Sequence, residues 1–416
     1  MNVHSLIASL VRPRLLLALR SWKVGRLTLE LPDGTSHTFG REGSTPHARV
    51  RVADFAFLSK FALRGDLGAG ESYMDGDWRA DDLTRFLSLV LENRLYLPLD
   101  TPLTKLLNVG NDLLHRLNAN TRRGSRQNIH AHYDLSNELF ALFLDETLTY
   151  SCAYFDHDEQ SLADAQRNKY RRLGEKVRLQ RSDHLLEIGC GWGGFAIFAA
   201  RTYGCRVTGL TISEAQLELG RRRVREAGLQ DLVELKLLDY REIEGRYDKV
   251  VSIEMFEALG LENWPAFFAK IEEVLAPQGL CAIQTISIPD HRFDEYKKHC
   301  DWLQKHIFPG SLLASLREMS VAMSRVSALG VYHLEDIGIH YALTLRRWRE
   351  AFLAHGDEVR SLGFDARFLR MWEYYLCVCE AAFATRTLSN LQVVLTRPGN
   401  AALPGIARAL AGERAA

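Results

Sequence analysis

The feature that most limits the fold of this chain is a glycine-rich loop between a β-rich run and a helical pattern. Its sequence is Leu185-Leu-Glu-Ile-Gly-Cys-Gly-Trp-Gly-Gly. Glycines at 189, 191 and 193 let the backbone turn tightly and approach a ligand. The spacing Glu-x-Gly-x-Gly differs from the Gly-x-Gly-x-x-Gly of dinucleotide-binding loops. It favours S-adenosylmethionine, which has no pyrophosphate to be bound.

Short β-rich runs alternate with helical windows from residue 184 onward. The runs cover residues 184–191, 205–213, 232–239, 249–256 and 280–288. This alternation predicts an α/β fold with a doubly wound, Rossmann-like parallel sheet. A helical insertion at about 289–385 precedes a late strand, Asn390-Leu-Gln-Val-Val-Leu-Thr. Beside the strand ends, the insertion is well placed to build a substrate tunnel.

With 416 residues, the chain is too long for one ordinary core. Residues 1–115 predict a smaller α+β domain, with an arginine-punctuated helix, a hairpin turning at Pro32-Asp33-Gly34 and helical spacing from Phe55. Its role is either lipid-facing or packing and dimerisation. The polar stretch 116–130 predicts a linker, residues 131–400 the catalytic domain, and 401–416 a tail.

Composition excludes several classes of function. Lys plus Arg equals Asp plus Glu at 52 each, so no global field attracts nucleic acid. Arginines interrupt the first apolar stretch, so it does not predict a signal peptide. The sequence contains no apolar run of about 18 residues, so no membrane-spanning helix is predicted. Seven cysteines without disulfide spacing indicate a reducing cytosol. His130 and His132 lack a third ligand, so no metal is predicted.

Two further motifs precede the glycine loop, and four follow it. They are His132-Tyr-Asp-Leu-Ser-Asn-Glu-Leu-Phe, Thr149-Tyr-Ser-Cys-Ala-Tyr-Phe, Val207-Thr-Gly-Leu-Thr-Ile-Ser, Ser252-Ile-Glu-Met-Phe-Glu, Ile307-Phe-Pro-Gly and Tyr374-Tyr-Leu. In this combination the sequence resembles cyclopropane-fatty-acyl-phospholipid synthases and the related mycolic acid cyclopropane synthases over about residues 128–397. The resemblance implies transfer of a methylene from S-adenosylmethionine to the cis double bond of an unsaturated phospholipid acyl chain, through a carbocation. It also implies a cytoplasmic enzyme that meets the inner face of the membrane peripherally.

The resemblance assigns a set of residues to S-adenosylmethionine. They are Tyr150, Ser151, the loop with Glu187, Gly189, Gly191 and Gly193, then Thr211, Gln216, Tyr240 and Arg241. From its position, Asp239 ends the third strand and fits a place near the adenine. The second strand lacks the acidic residue that usually accepts ribose hydroxyls, so Thr211 and Gln216 are neutral substitutes. Ser213 also fits a plain helix cap.

Members of the family hold a bicarbonate ion near the transferred methyl, and the resemblance places its contacts here. They are Cys152, Glu257, the backbone of Ile286, Tyr341, and Gln284 where well-known bacterial members carry histidine. The carbocation must lose a proton, which calls for a weak base. Glu257 is the strongest single candidate, because it follows the fourth strand at the carboxyl edge of the sheet. Cys379 falls where the family has an active-site cysteine, with packing as the alternative.

Three functions stay open at this point. The first is cyclopropanation of phospholipid acyl chains, by a monomer or a homodimer. The second is the same methyl transfer ending in a methylene or methyl branch, an outcome that Gln284 raises. The third is a non-catalytic lipid-binding protein, against which the intact glycine loop argues.

Overall fold

The protein is described by a computed structural model, in which residues 3–97 and 136–403 are placed. The chain divides into two compact units. The first comprises Met1–Asn118, Asp294–Pro309 and Ala342–Leu388, and the second Ala119–Phe293, Gly310–Tyr341 and Ser389–Ala416. The predicted linker 116–130, His130, His132 and most of the predicted tail lie outside the described residues.

The first unit carries a four-stranded sheet in the order β2-β1-β3-β4. Its strands are β1 (Arg26–Glu30), β2 (Ser36–Phe39), β3 (His47–Val52) and β4 (Trp78–Ala80). The predicted hairpin is confirmed, because β1 and β2 pair antiparallel from Leu27 opposite Phe39 to Glu30 opposite Ser36. In its turn, Asp33 accepts hydrogen bonds from the backbone N–H (3.1 Å) and hydroxyl (2.6 Å) of Thr35.

The first unit also contains helices, which lie in the segments where the sequence analysis predicts them. They are α1 (Val3–Leu19), α2 (Ala56–Asp75) and α3 (Leu83–Asn93). Asp82 caps α3 by accepting the N–H of Arg85 at 2.9 Å, which satisfies one of the unpaired donors at a helix start.

The second unit is built on a seven-stranded sheet in the order β10-β11-β9-β8-β5-β6-β7. Its strands are β5 (His184–Ile188), β6 (Arg206–Thr211), β7 (Val233–Leu237), β8 (Tyr247–Ile253), β9 (Leu275–Ser287), β10 (Gly330–Asp336) and β11 (Ser389–Thr396). Strands β5 to β9 are parallel, as predicted, while β11 runs antiparallel to both β9 and β10. The doubly wound α/β fold is therefore confirmed, with a mixed edge.

Helices cover the faces of this sheet. In chain order they are α4 (Asn137–Ala141), α5 (Leu162–Lys176), α6 (Gly194–Tyr203), α7 (Glu214–Glu226) and α8 (Trp264–Val274). Ser161 caps α5 and Ser213 caps α7, the latter by accepting the N–H of Gln216 at 3.3 Å. The alternative role proposed for Ser213 is thus confirmed. Leu185, Val207 and Val251 lie in the buried core between the sheet and its helices.

The predicted insertion is not wholly helical. Its helices are α9 (Asp290–Tyr296), α10 (Trp302–His306), α11 (Leu316–Ser324), α12 (Gly338–Ala354), α13 (Gly356–Ser361) and α14 (Ala366–Ala384). Strand β10 lies among them, at the edge of the large sheet. Six of its seven residues are exposed, so the strand lacks the buried, alternating side chains from which a strand is predicted. Within the described residues, no helix has both the length and the apolar character needed to cross a membrane.

Candidate active site

The glycine loop leaves the carboxyl end of β5, next to β8, where the strand order changes direction. Open α/β sheets bind ligands at such switch points. The backbone N–H groups of Gly189 and Cys190 both donate to the carbonyl of Leu210, at 3.0 and 2.8 Å, and so tie the loop to β6. Gly189, Gly191 and Gly193 all adopt positive φ, which explains why glycine occupies each position.

The protein leaves room at one of these glycines and fills the room at another. A Cβ added to Gly191 would meet no atom of the described residues within 4 Å. A Cβ on Gly189 would lie 2.8 Å from Cγ of Met255, which packs against the loop. The loop therefore borders space at Gly191 that the described part of the chain does not occupy, as a ligand-binding loop requires.

Two buried charged groups lie close to this loop. Burial raises the pKa of Glu187 to about 8, although the positive charge of Lys169 opposes the rise. Glu187 Oε2 has no hydrogen-bond partner among the described residues. Lys169 is itself fully buried, which lowers its pKa to about 8, and it donates to the Ser151 hydroxyl at 2.7 Å. The space beside the loop is thus lined by groups that can respond to a charged ligand.

Tyr150 and Ser151 precede this lysine in the chain and are held by helix α5 and an aromatic group. The ring of Tyr150 lies edge-on to Phe140, with centroids 5.1 Å apart. The carbonyl of Ser151 accepts a hydrogen bond from Gln166 on α5 at 2.9 Å. These contacts fix both predicted cofactor residues in the second unit.

The remaining predicted cofactor residues form two pairs at the ends of β6 and β7. The hydroxyl of Thr211 donates to Gln216 at 2.9 Å, and both side chains are buried. Both oxygens of Asp239 accept hydrogen bonds from Arg241, at 2.8 and 2.5 Å. Tyr240 is buried, which raises its pKa to about 12, and its hydroxyl has no partner among the described residues.

Several of the residues expected to contact bicarbonate meet at a carboxylate that the sequence analysis did not single out. Glu254 directly follows β8 and accepts four hydrogen bonds. Its Oε1 accepts from the N–H of Cys152 (2.9 Å), the amide of Gln284 (2.8 Å) and the amide of Asn390 (2.7 Å). Its Oε2 accepts from the hydroxyl of Tyr341 at 2.7 Å. Three groups expected to contact bicarbonate therefore all donate to Glu254.

Glu257 lies one short turn further along the chain. One of its oxygens, Oε1, accepts from the backbone N–H of Ile286 and from the hydroxyl of Thr285. The other, Oε2, is buried and has no partner among the described residues. Burial, followed by the negative charge of Glu254, raises the pKa of Glu257 to about 8. The two expected site residues Glu257 and Ile286 are thus in direct contact.

The two candidate cysteines have different surroundings. The buried thiol of Cys152 points at the carbonyls of Ala153 (3.2 Å) and Ile337 (3.8 Å). The backbone N–H of Cys152, and not its sulfur, therefore donates to Glu254. Cys379 lies on α14, in the first unit, and burial raises the pKa of its thiol. Its expected role in the site stays a prediction.

Sequence reasoning missed Glu254, Asn390 and Lys169. A signal existed for the first two, because Glu254 is an acidic residue immediately after a buried strand and Asn390 opens an otherwise apolar one. Polar side chains at such strand ends face the ligand side of the sheet. Lys169 sits in a polar helix, α5, whose sequence does not distinguish a buried lysine from a solvated one.

Comparison with known proteins adds relatives to this geometry. The family model described as "Mycolic acid cyclopropane synthetase" matches residues 120–393. The tuberculostearic acid methyltransferase UfaA1 of Mycobacterium tuberculosis is 40% identical over 90% of this chain and 88% of its own length. The cyclopropane-fatty-acyl-phospholipid synthase of Escherichia coli is 36% identical over 85% of this chain and 89% of its own length.

Solved structures agree with these sequence matches. The cyclopropane synthase MmaA2 from Mycobacterium tuberculosis matches with a TM-score of 0.61 and 28% identity, over 65% of this chain and 98% of that chain. The mycolic acid cyclopropane synthase CmaA1, complexed with SAH and CTAB, matches with a TM-score of 0.61 and 29% identity, over the same shares of the two chains.

Proposed function

The chain belongs to the mycolic acid cyclopropane synthetase family of S-adenosylmethionine-dependent methyltransferases, and we propose that it cyclopropanates phospholipid. In this proposal the methyl carbon of S-adenosylmethionine is added across the cis double bond of an unsaturated acyl chain. One observation carries the proposal: the glycine loop after β5 and a cluster of carboxylates after β8 lie side by side at the switch point of the sheet, joined by the packing of Met255 under Gly189.

The residues beside the glycine loop fit S-adenosylmethionine, which when bound supplies an electrophilic methyl group. Gly191 borders the space for the ligand, and the unpartnered oxygens of Glu187 and Tyr240 offer polar contacts within it. Glu187 would ionise beside a cation, because a positive neighbour lowers the pKa of a carboxyl group. We assign the ribose and adenine to the pairs that contain Thr211 and Asp239. Tyr150 and Ser151 complete the proposed set.

Bicarbonate, the base implied by the resemblance, does not fit this arrangement. Cys152, Gln284 and Tyr341 would have to release Glu254 before they could bind a second anion of the same shape. The charge of Glu254 would also repel that anion at close range. The proton that leaves the carbocation must therefore be accepted by another group.

We place the reaction at a phospholipid membrane, since phospholipid is the substrate named for the Escherichia coli relative. The enzyme would approach the cytoplasmic face and bind it peripherally. Leu10 and Leu17 on α1 support a role for the first unit in this encounter. Each is 63% exposed, and seven positions place them two turns apart on one face of the helix.

A branched product is the second candidate, and the similarity to UfaA1 favours it. That relative is named a tuberculostearic acid methyltransferase and is 40% identical to this chain over 380 aligned residues. In this alternative a 1,2-hydride shift moves the cation to the methyl-bearing carbon, and loss of a proton from the methyl group then forms a methylene branch instead of a ring. A saturated methyl branch would additionally need a reductant.

Lipid analysis of a bacterial host whose own lipids lack rings tests the proposal. Expression of the protein should add one carbon to monounsaturated chains, and ring protons should appear in the NMR spectrum. Mass alone cannot separate a ring from a methylene branch, because the two are isomers. A host expressing Gly191→Val is the matched control. Olefinic protons of a methylene group, without ring protons, would select the branched product, and lipids without added carbon would refute both.

A further inference from the structure

We propose that the carboxylate of Glu254 is the base of this enzyme, fixed in the chain at the place where the family resemblance puts a bicarbonate ion. This inference rests on the proposed methyl transfer. It names the group that accepts the proton and removes the need for an external anion.

The hydrogen bonds to Glu254 form a complete binding site for one planar carboxylate. Three donors converge on Oε1 and one on Oε2, all at 2.7–2.9 Å. The residues that supply these donors are buried, whereas Glu254 itself is only partly buried. Among the five residues of this cluster, Glu254 is therefore the one that is partly open to an entering ligand.

Further contacts hold the donors in place. Gln284 accepts a hydrogen bond from Gln392 at 2.9 Å through its carbonyl oxygen, which orients its amide group toward Glu254. Residue 392 lies opposite 284, and Asn390 opposite Ile286, in the pairing of β11 with β9. The sheet itself thus positions two of the four donors, and a donor set of this rigidity suits a resident anion.

The neighbouring carboxyl group of Glu257 is less available as a base at neutral pH. Burial and the charge of Glu254 raise the pKa of Glu257 to about 8, so Glu257 is mostly protonated at neutral pH. A protonated carboxyl group cannot accept the proton of the carbocation. Lys169 supplies a compensating positive charge. Burial lowers the pKa of its amine, and among the charged groups that raise this pKa Glu254 has the largest effect.

The backbone of Glu254 is in the left-handed region, with φ of +48°. This conformation is strained for a non-glycine residue but not for a glycine. The strain is retained at the end of β8, next to the cofactor loop, where such outliers mark function. A glycine here would relax the backbone and leave the four donors facing a gap the size of a carboxylate.

In the proposed reaction, methyl transfer is followed by proton transfer to Glu254. The π electrons of the alkene form a bond to the methyl carbon as its bond to sulfur breaks, which leaves S-adenosylhomocysteine and a carbocation. Glu254 then accepts a proton from the added methyl group, and the electrons of that C–H bond close the ring. If a 1,2-hydride shift first moves the cation to the methyl-bearing carbon, the same C–H electrons form a double bond instead, and the product is the methylene branch. The protonated Glu254 returns its proton to water before the next turnover.

The test compares wild type, Glu254→Gly and Glu254→Gln in buffer freed of carbonate, with vesicles of monounsaturated phospholipid as substrate. Wild-type turnover should be unchanged by added bicarbonate. Glu254→Gly should lose roughly a hundredfold or more, the scale of a lost general base, and regain much of it with bicarbonate. Glu254→Gln should stay inactive with or without bicarbonate, because its amide fills the site. Arg178→Gly, which relaxes a similar φ of +53° elsewhere in the second unit, should behave as wild type.

A binding measurement separates this inference from the proposed function. Carbon-13 NMR of labelled bicarbonate, with S-adenosylhomocysteine present, should show binding to Glu254→Gly and none to wild type. Saturable binding to wild type that Tyr341→Phe removes would overturn the inference, even if lipid methylation is observed. So would wild-type turnover that requires bicarbonate, or full turnover of Glu254→Gly without it. If wild type excludes bicarbonate but methylates no lipid, the assignment of Glu254 as a base fails together with the proposed function.

Discussion

Replacing Gly191 tests the cofactor site directly, because the fold and the ligand make different demands at this position. An alanine held at φ of +51° strains the backbone by roughly 1–2 kcal/mol. Its Cβ meets no atom within 4 Å in residues 3–97 and 136–403, so these residues add no packing penalty. A domain stable by about 5–15 kcal/mol tolerates this loss. Gly191→Ala should therefore remain folded.

The ligand loses more than the fold does. A methyl group forced into a well-packed contact costs about 1–3 kcal/mol, which corresponds to roughly 5- to 140-fold weaker binding. The branched side chain of Gly191→Val occupies more of the same space and should abolish measurable binding. Isothermal titration with S-adenosylmethionine gives the dissociation constant, and circular dichroism reports the fold.

Two other glycines serve as controls. Gly228, at φ of +67° with no atom within 4 Å of an added Cβ, lies away from the loop, so Gly228→Ala should carry the same strain without loss of affinity. Gly189→Ala should lower stability, because its Cβ would lie 2.8 Å from Met255. Unchanged affinity in folded Gly191→Ala would mean that the ligand does not approach the loop at this glycine.

Three further outcomes are expected. Glu257→Gln should retain turnover within about tenfold at pH 7, because the amide imitates a carboxyl group that is already protonated, while a hundredfold loss would return the role of base to Glu257. The affinity for S-adenosylmethionine should rise with pH up to about 8, by at most about tenfold per unit, as Glu187 with its pKa of about 8 ionises for the bound cation. Titrations of Glu187→Gln should show weaker binding without this slope, and a slope that persists would exclude Glu187. Sedimentation with phospholipid vesicles should weaken for the double variant Leu10→Asp, Leu17→Asp but not for Leu362→Asp, a control at a leucine 41% exposed in the same unit; equal loss in both would assign no special role to α1.

The parallel core of the sheet could be predicted because local pattern and burial agree there. Strand β5, with four of its five residues buried, is apolar except for His184 and Glu187, and a glycine turn follows it at once. Strand β10 has no buried alternation, since it pairs only with β11 at the sheet edge. Its extended conformation is imposed by hydrogen bonds to a partner about sixty residues away. A sequence window does not contain that partner.

The sequence predicted which residues of the candidate site lie close together, but not which of them form hydrogen bonds with each other. The resemblance assigned Cys152, Gln284 and Tyr341 to one small anion, and they do converge on one carboxylate. The anion is a side chain of the chain itself, 102 residues from Cys152 and 136 from Asn390. Local spacing cannot show which of two acidic residues three positions apart turns toward these donors. The left-handed φ of Glu254 decides it, and backbone conformation of that kind is not encoded by a glutamate.

A base that belongs to the chain changes what controls the product. A bound ion can shift or dissociate, whereas Glu254 is held by its backbone and by four hydrogen bonds. The next residue, Met255, packs against Gly189 of the cofactor loop, so the two reacting sides are fixed to each other through one peptide. How the acyl chain enters then decides whether the carboxylate takes a proton of the added methyl group before or after a hydride shift moves the cation to the methyl-bearing carbon. Ring closure and branching therefore differ in the placement of the substrate over one fixed base, and variants that reshape the acyl path should change the product ratio without any change to Glu254.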